Sequence, residues 1–383
     1  MSVSAIPFSK PYLSGNEFRY MEQAVRSGKI SGDGMFTHKC HAFFEHELGF
    51  RKALLTSSGT DALEMAALLL DIQPGDEVIV PSYTFVSTAN AFVLRGARIV
   101  FVDSTAQNPN LDAAQLEALI TPRTRAIVPV HYAGIACDMD TILDVAVRHK
   151  LAVVEDAAQA IDSFYRGRPL GSLGTLGAFS FHEAKNIIAG EGGLLTVNDP
   201  TLVRRAEIIR EKGTDRAAFF RGEVDKYTWI EPGSSFLPSD LTAAFLWAQL
   251  ESMTRIQQRR HLLWQRYDAA LRSPLTARQV GLPVIPDYAT NNAHMYYLTC
   301  RSLPERTALI AHLAQQQVLL VFHYLSLHRS PYYAPLHDGR ALPWADYYTD
   351  HLVRLPLYYE LTEADQDRII NAILEFYANW AKS

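Results

Sequence analysis

The chain has 383 residues, 48% hydrophobic and 20% charged, a length and balance that suit two domains with a sizeable buried core and exclude a disulfide-stapled miniprotein or a low-complexity chain. The net charge of −5 leaves no basic excess for a nucleic-acid backbone or an anionic membrane, and three widely spaced cysteines, Cys40, Cys137 and Cys300, suit packed free thiols better than a disulfide or metal framework. The N-terminus lacks the apolar core of a signal peptide and no run reaches the ~18 apolar residues of a membrane span, so a soluble, cytoplasmic protein is expected.

Strand-like and helix-like segments alternate from about residue 15 to 200. Ala53-Leu54-Leu55 reads as a strand, and Gly59 to Leu70 as a helix of good helix formers that Pro74-Gly75-Asp76 ends. Short β-branched runs follow at 77–80, 98–102, 125–130 and 151–154, with helical patterns between them. That spacing implies βαβ units and a mostly parallel sheet covered on both faces. Ligands bind such sheets beyond the carboxyl ends of the strands, where Asp103, His131 and the pair Glu155-Asp156 stand. A helical pattern without glycine runs from Ser239 to Arg272, with Pro274 expected to close it, and Val318 to Phe322 reads as a strand. Domains are therefore expected at 15–250 and 251–383, with residues 1–14 placed against the second.

Three motifs carry chemistry. Thr56-Ser57-Ser58-Gly59-Thr60 joins a strand to a helix, where exposed N–H groups either cradle a phosphate or simply form a capped helix start. Asp156 in Glu155-Asp156-Ala157-Ala158-Gln159 is either a helix cap or an anion that keeps a heterocyclic nitrogen protonated. Lys185, between Ser180-Phe181-His182 and the Gly190-Glu191-Gly192-Gly193 turn, is either a surface charge or a Schiff-base amine.

The order of these motifs resembles the fold-type I pyridoxal-phosphate enzymes and, within them, the sugar-nucleotide aminotransferase family of DegT/DnrJ/StrS type. Stretches 81–90, 129–134, 155–159, 179–186 and 323–328 match its pattern, so the likeness covers nearly the whole chain. Segments 65–78, 211–214 and 224–229 are similar to the members that make dTDP-4-amino-4,6-dideoxygalactose. One departure stands at Gly233-Ser234-Ser235, where many members carry Gly-x-Asn. Ser235 thus replaces the asparagine that reaches a neighbouring subunit's phosphate.

The resemblance implies an α/β fold: a large domain with a mostly parallel seven-stranded sheet and a smaller α+β C-terminal domain. It implies pyridoxal 5′-phosphate as cofactor, no metal, and a homodimer with shared active sites. Lys185 would condense with the cofactor's aldehyde and later shuttle a proton, Asp156 would pair with the ring nitrogen, Gln159 would bond the phenolic oxygen and Phe85 would stack on the ring. Ser58, Gly59, Thr60 and Ser180 would hold the phosphate, and Asn186 and Ser235 would complete the set. Tyr83, His182, Lys212, Arg216, Lys226, Tyr227, His323 and His328 are the candidates for the substrate. The cations of residues 212–226, Arg221 included, would meet the diphosphate or form a solvated loop, and His323 and His328 would close over the sugar or serve as structural histidines.

The implied reaction moves an amino group from L-glutamate to C4 of a nucleotide-linked 4-keto-6-deoxy sugar, dTDP-4-keto-6-deoxyglucose, giving dTDP-4-amino-4,6-dideoxygalactose and 2-oxoglutarate. Amination at C3 and a non-catalytic sensor of the same fold are the alternatives. Related dehydratases carry histidine in place of the lysine, so Lys185 favours transamination.

Overall fold

The computed structural model describes residues 4–380. Its strands are β1 (Ala53–Thr56), β2 (Glu77–Pro81), β3 (Arg98–Val102), β4 (Thr124–Ile127), β5 (Ala152–Asp156), β6 (Phe164–Tyr165), β7 (Arg168–Pro169), β8 (Leu176–Ser180), β9 (Gly193–Val197), β10 (Tyr296–Thr299), β11 (Val321–Phe322) and β12 (Leu352–Leu355). Seven of them form one sheet in the order β1-β9-β8-β5-β4-β2-β3. Only β9 runs against its neighbours.

Successive side chains on a strand point to opposite faces, and here both faces are apolar. Leu55, Ile79, Val153, Phe179 and Leu194 enter one buried cluster, while Leu54, Val78, Val80, Val154, Ala178 and Leu195 enter another on the far side. Helices cover both, as a buried parallel sheet requires. The three cysteines are free and buried.

A second sheet, β10-β12-β11, packs with the Leu303–Gln315 and Glu363–Trp380 helices in a third apolar cluster that also takes in Leu263, Tyr267 and Ile6. The Ile6 N–H donates to the Gln317 carbonyl at 2.8 Å, and Ile6 accepts from Leu319 at 3.1 Å. Among the described residues no helix is long and apolar enough to cross a membrane.

Local expectations need correcting at five places. The run at 125–130 is a regular strand only to Ile127; Pro129 has no N–H to donate, although Val128 N–H still reaches the Ile79 carbonyl at 2.9 Å and Val130 bridges Asp156. The run at 318–322 supplies only Val321–Phe322 to the small sheet; Val318 instead bridges Ile6. The long helical pattern is two helices, Asp240–Glu251 and Met253–Thr276, parted at Ser252, whose ψ of 4° closes a tight turn. Pro274 lies inside the second helix rather than ending it; in the last turn a missing N–H costs only one helical bond. At β5 the strand continues to Asp156, so both acidic residues belong to it.

Candidate active site

The cavity of about 840 Å³ opens at the carboxyl ends of the parallel strands. Ser58, Gly59, Thr60, Phe85, Asp156, Gln159, Ser180, His182, Lys185 and His323 line it, bringing together residues that are 265 positions apart in the chain at the extremes.

The turn after β1 is held from three sides. Ser57 N–H donates to the Phe236 carbonyl at 2.9 Å, Thr56 Oγ1 donates to the Ser58 carbonyl at 2.8 Å, and Ser58 Oγ caps the Gly59–Leu69 helix by accepting from Asp61 N–H at 3.0 Å. The first N–H groups of that helix, on Gly59 and Thr60, have no carbonyl one turn earlier to bond. A Cβ at Gly59 would lie 2.9 Å from the Ser180 Cβ, and one at Gly193 would collide with the Ser58 carbonyl. Glycine at both positions therefore lets the turn close on β8 and β9, leaving a cradle of N–H groups and hydroxyls that suits a phosphate.

Asp156 ends β5. Its Oδ2 accepts from Thr88 Oγ1 at 2.7 Å and its Oδ1 from Ala158 N–H at 3.1 Å. Burial pushes this carboxyl above the usual range, and the two hydrogen bonds and the Lys185 charge act against that. Gln159 is fixed at both ends of its amide: Oε1 accepts from Ala133 N–H at 2.7 Å and Nε2 donates to the Tyr324 hydroxyl at 3.0 Å.

Lys185 follows β8 on a loop closed by its own N–H, which donates to the His182 carbonyl at 2.9 Å. Loss of hydration lowers its ammonium to about 8, with the Asp156 anion opposing the shift and Arg354 adding to it. It makes no ion pair among the described residues. A lysine in this state is part-neutral near pH 8 and nucleophilic.

Several expected residues lie elsewhere. Asn186 spends its amide inside the protein, donating to Gln257 Oε1 at 2.9 Å and to the Asn292 carbonyl at 2.8 Å while facing His294 Nδ1 at 2.8 Å, so it anchors the lysine loop instead of lining the cavity. Tyr83 is buried behind the wall and donates to the His323 carbonyl. His328 Nδ1 meets Ser82 Oγ at 2.7 Å, outside the cavity. Lys212, Arg216, Lys226 and Tyr227 sit on an exposed loop that pairs with itself, Ile230 N–H donating to the Gly213 carbonyl at 2.7 Å. Arg216 lies 3.8 Å from Glu211, and Tyr227 packs on Phe219. Ser235 bridges Glu211 on the same exposed edge. None of these reaches this chain's own cavity.

Sequence reasoning passed over Thr88, Tyr324 and Arg354, all of which line the cavity. Thr88 had a signal: it falls on the helix that Phe85 opens, three residues on, hence on the same face. Arg354 had a weaker one, a lone charge inside the apolar run Leu352 to Leu355.

The turn, the anion and the lysine present the three functions that hold an aromatic aldehyde phosphate: a phosphate cradle, a partner for a ring nitrogen and an amine. A model of the DegT/DnrJ/EryC1/StrS aminotransferase family matches residues 11–374, and the chain belongs to that family. GDP-perosamine synthase of Caulobacter vibrioides is 36% identical over 378 residues, 96% of this chain and 97% of that protein. The aminotransferase TlmJ from Streptoalloteichus hindustanus superposes with a TM-score of 0.90 at 29% identity, covering 98% of this chain and 100% of that one. S. venezuelae DesV gives 0.88 at 32% identity over 98% and 99% of the two chains. The expected fold is borne out, and the chain is a sugar aminotransferase that uses pyridoxal 5′-phosphate.

Proposed function

We propose that the chain moves an amino group from L-glutamate to C4 of a nucleotide-linked 4-keto-6-deoxy sugar, with dTDP-4-keto-6-deoxyglucose as substrate. The observation that carries the reading is Lys185, desolvated and unpaired, in one cavity with Asp156 and the Ser58–Gly59 turn.

Bound pyridoxal phosphate supplies an electron sink when the donor's Cα proton leaves. Asp156 then holds a proton on the ring nitrogen, which keeps that sink effective, and Thr88 and Ala158 hold Asp156 in place. Gln159, immobilised by Ala133 and Tyr324, directs its amide at the phenolic oxygen. Phe85, 56% exposed, offers an uncovered ring face for stacking. Ser58, Gly59, Thr60 and Ser180 take the phosphate. The Lys185 amine would move the proton between the donor's Cα and the cofactor's C4′, as general base and then acid. His182 and His323 are assigned to the sugar side of the cavity.

Domains at 15–250 and 251–383 and a cytoplasmic homodimer complete the proposal. Ser235, Lys212, Arg216, Lys226 and Tyr227 would serve a neighbouring subunit's cavity, a reading supported by the exposure of Phe220, Tyr227, Trp229 and Ile230 on that loop. The name of the Caulobacter relative favours a GDP-linked substrate as the second reading. Incubating the holoenzyme with L-glutamate and either the dTDP- or a GDP-linked 4-keto-6-deoxy sugar, then locating the new amine by NMR, tests both. Amine at C4 of the dTDP sugar is expected; amine at C3, or turnover of the GDP sugar alone, overturns the finer assignment.

A further inference from the structure

The segment 323–328 supplies two side chains of the cavity wall, His323 and Tyr324, and its backbone is strained there. Tyr324 has a φ of 54°, a left-handed conformation that is unfavourable for a bulky side chain and persists only where the surroundings over-determine it. Groups on the large sheet's side do so. The Tyr83 hydroxyl donates to the His323 carbonyl, the Tyr132 hydroxyl meets His323 Nδ1 at 2.8 Å, and Gln159 Nε2 donates to the Tyr324 hydroxyl at 3.0 Å. These contacts hold the start of the segment. Its far end is held by one residue pair, Ser82 and His328.

Ser82 directly follows β2, and its N–H donates to the Val102 carbonyl at 3.1 Å. Leu327 N–H donates to the Ser82 carbonyl at 2.9 Å, His328 N–H donates to the Ser82 hydroxyl at 3.2 Å, and that hydroxyl stands 2.7 Å from His328 Nδ1. Because Ser82 Oγ accepts from the backbone, its own hydrogen is available to Nδ1. Asp346 Oδ1 faces His328 Nε2 at 3.6 Å and Arg329 Nη1 at 3.5 Å, which favours the tautomer with its hydrogen on Nε2 and a lone pair on Nδ1. A serine, a histidine and an aspartate so arranged are no nucleophile here, since Ser82 is 0% exposed and no substrate reaches it. They form a clamp. Ser82 leads into Thr84 and Phe85, and His328 ends the segment that opens at His323, so the clamp joins two stretches of chain that line the cavity.

We propose that His328 is a positioning residue: bonded to Ser82, it holds segment 323–328 in place, keeps Tyr324 in its left-handed conformation and, through the Tyr324 hydroxyl, fixes the direction of the Gln159 amide. The proposal rests on the reading that Gln159 donates to the cofactor's phenolic oxygen. Holoenzyme is prepared as wild type and as His328→Phe, His328→Asn, Ser82→Ala and Gln159→Ala. The visible band of the lysine-bound cofactor is titrated against pH, and hydrogen exchange of peptides spanning 323–329 is followed by mass spectrometry.

A donor to the phenolic oxygen favours its ionised form, so weakening that donor raises the midpoint of the band. The expected result is an upward displacement of roughly 0.5 in pH or more for His328→Phe and Ser82→Ala, the size of a weakened hydrogen bond, in the same direction as for Gln159→Ala. Exchange at 323–329 should quicken by about five-fold or more while β2 and β5 keep their protection. His328→Asn, whose amide reaches the position of Nδ1, should return both readouts toward wild type. Ser82→Ala removes only a hydroxyl and carries the test if a histidine variant folds poorly. Unchanged exchange, or faster exchange and a lower melting temperature with an unmoved midpoint while Gln159→Ala does move it, overturns the proposal. An unmoved midpoint in Gln159→Ala overturns the Gln159 reading, and the route through Tyr324 with it.

Discussion

Glu155 and Asp156 are consecutive carboxylates on β5, and the pleat sends them to opposite faces of the sheet. Both are buried, at 0% and 5% exposure, yet they have different occupations. Glu155 is saturated: Oε2 accepts from Gly171 N–H at 2.8 Å and faces His131 Nε2 at 3.0 Å, while Oε1 accepts from Leu173 and Gly174 N–H at 2.6 and 2.7 Å. Cys137 N–H donates to His131 Nδ1, which fixes the tautomer so that Nε2 carries the hydrogen. Asp156 has two donors and keeps its other lone pairs for the cavity. A buried carboxylate whose bonds all close within the protein holds the fold together. One left short of donors beside an unpaired lysine is equipped for a ligand.

The sharpest way to break that comparison is at the lysine. Lys185→Ala should abolish turnover, on the order of 10⁴-fold or more, and eliminate borohydride-trapped cofactor, with an unchanged melting temperature. Asp156→Asn should bind cofactor and slow turnover by roughly 10³-fold, again without loss of stability, because no saturated network is broken. Glu155→Gln should do the reverse. It places an amide among four donors and should cost about 3 kcal/mol or more of stability, read from denaturant unfolding, while the protein that remains folded stays active. Equal destabilisation by the two substitutions would erase the distinction.

The sequence made part of this contrast visible. The order of turn, acid and lysine, together with the strand periods, was enough to place Asp156 and Lys185 at strand ends. Which of two adjacent acids faces the cavity came from the family resemblance and not from the strand pattern, since the pattern alone depends on where β5 begins in its register. Contacts such as Gln159 to Tyr324, 165 residues apart, leave no local trace. The loop cations were less legible for a related reason, since which cavity they serve depends on assembly and not on local pattern. Their spacing is that of a binding loop, but Glu207, Glu211 and Glu223 lie close enough to pair with Arg216 and Arg221.

A smaller effect tests the electrostatics directly. Burial disfavours the Lys185 ammonium, so its folded value, about 8, lies below that of the unfolded chain. The neutral amine attacks, and capture of pyridoxal phosphate by apo-protein should therefore speed up as pH rises through about 8 and then level off. Between about 8 and the ordinary lysine value the unfolded chain holds the extra proton, so this group's contribution to stability also rises with pH across that window. Asp156→Asn removes the anion that favours the charged lysine and should move the inflection down; Glu155→Gln should leave it in place. Stopped-flow absorbance over a pH series reads both.

The smallest effect concerns Thr88, which donates to Asp156 and faces the Thr84 hydroxyl at 2.9 Å. Thr88→Val keeps the side-chain shape but removes the donor, leaving Asp156 with the Ala158 N–H alone. The carboxyl becomes less acidic and a weaker partner for a protonated ring nitrogen. A hydrogen bond to a charged group contributes about 1.5–3 kcal/mol, so a loss of roughly ten-fold in kcat is expected, with the pH profile displaced in the alkaline direction on its acid limb. Thr88→Ser restores the donor and should restore the rate. If Asp156 serves activity and not the fold, as proposed, neither variant should shift the melting temperature as Glu155→Gln does; a Thr88→Val enzyme that is destabilised but fully active would place Asp156 in the same structural role as its neighbour.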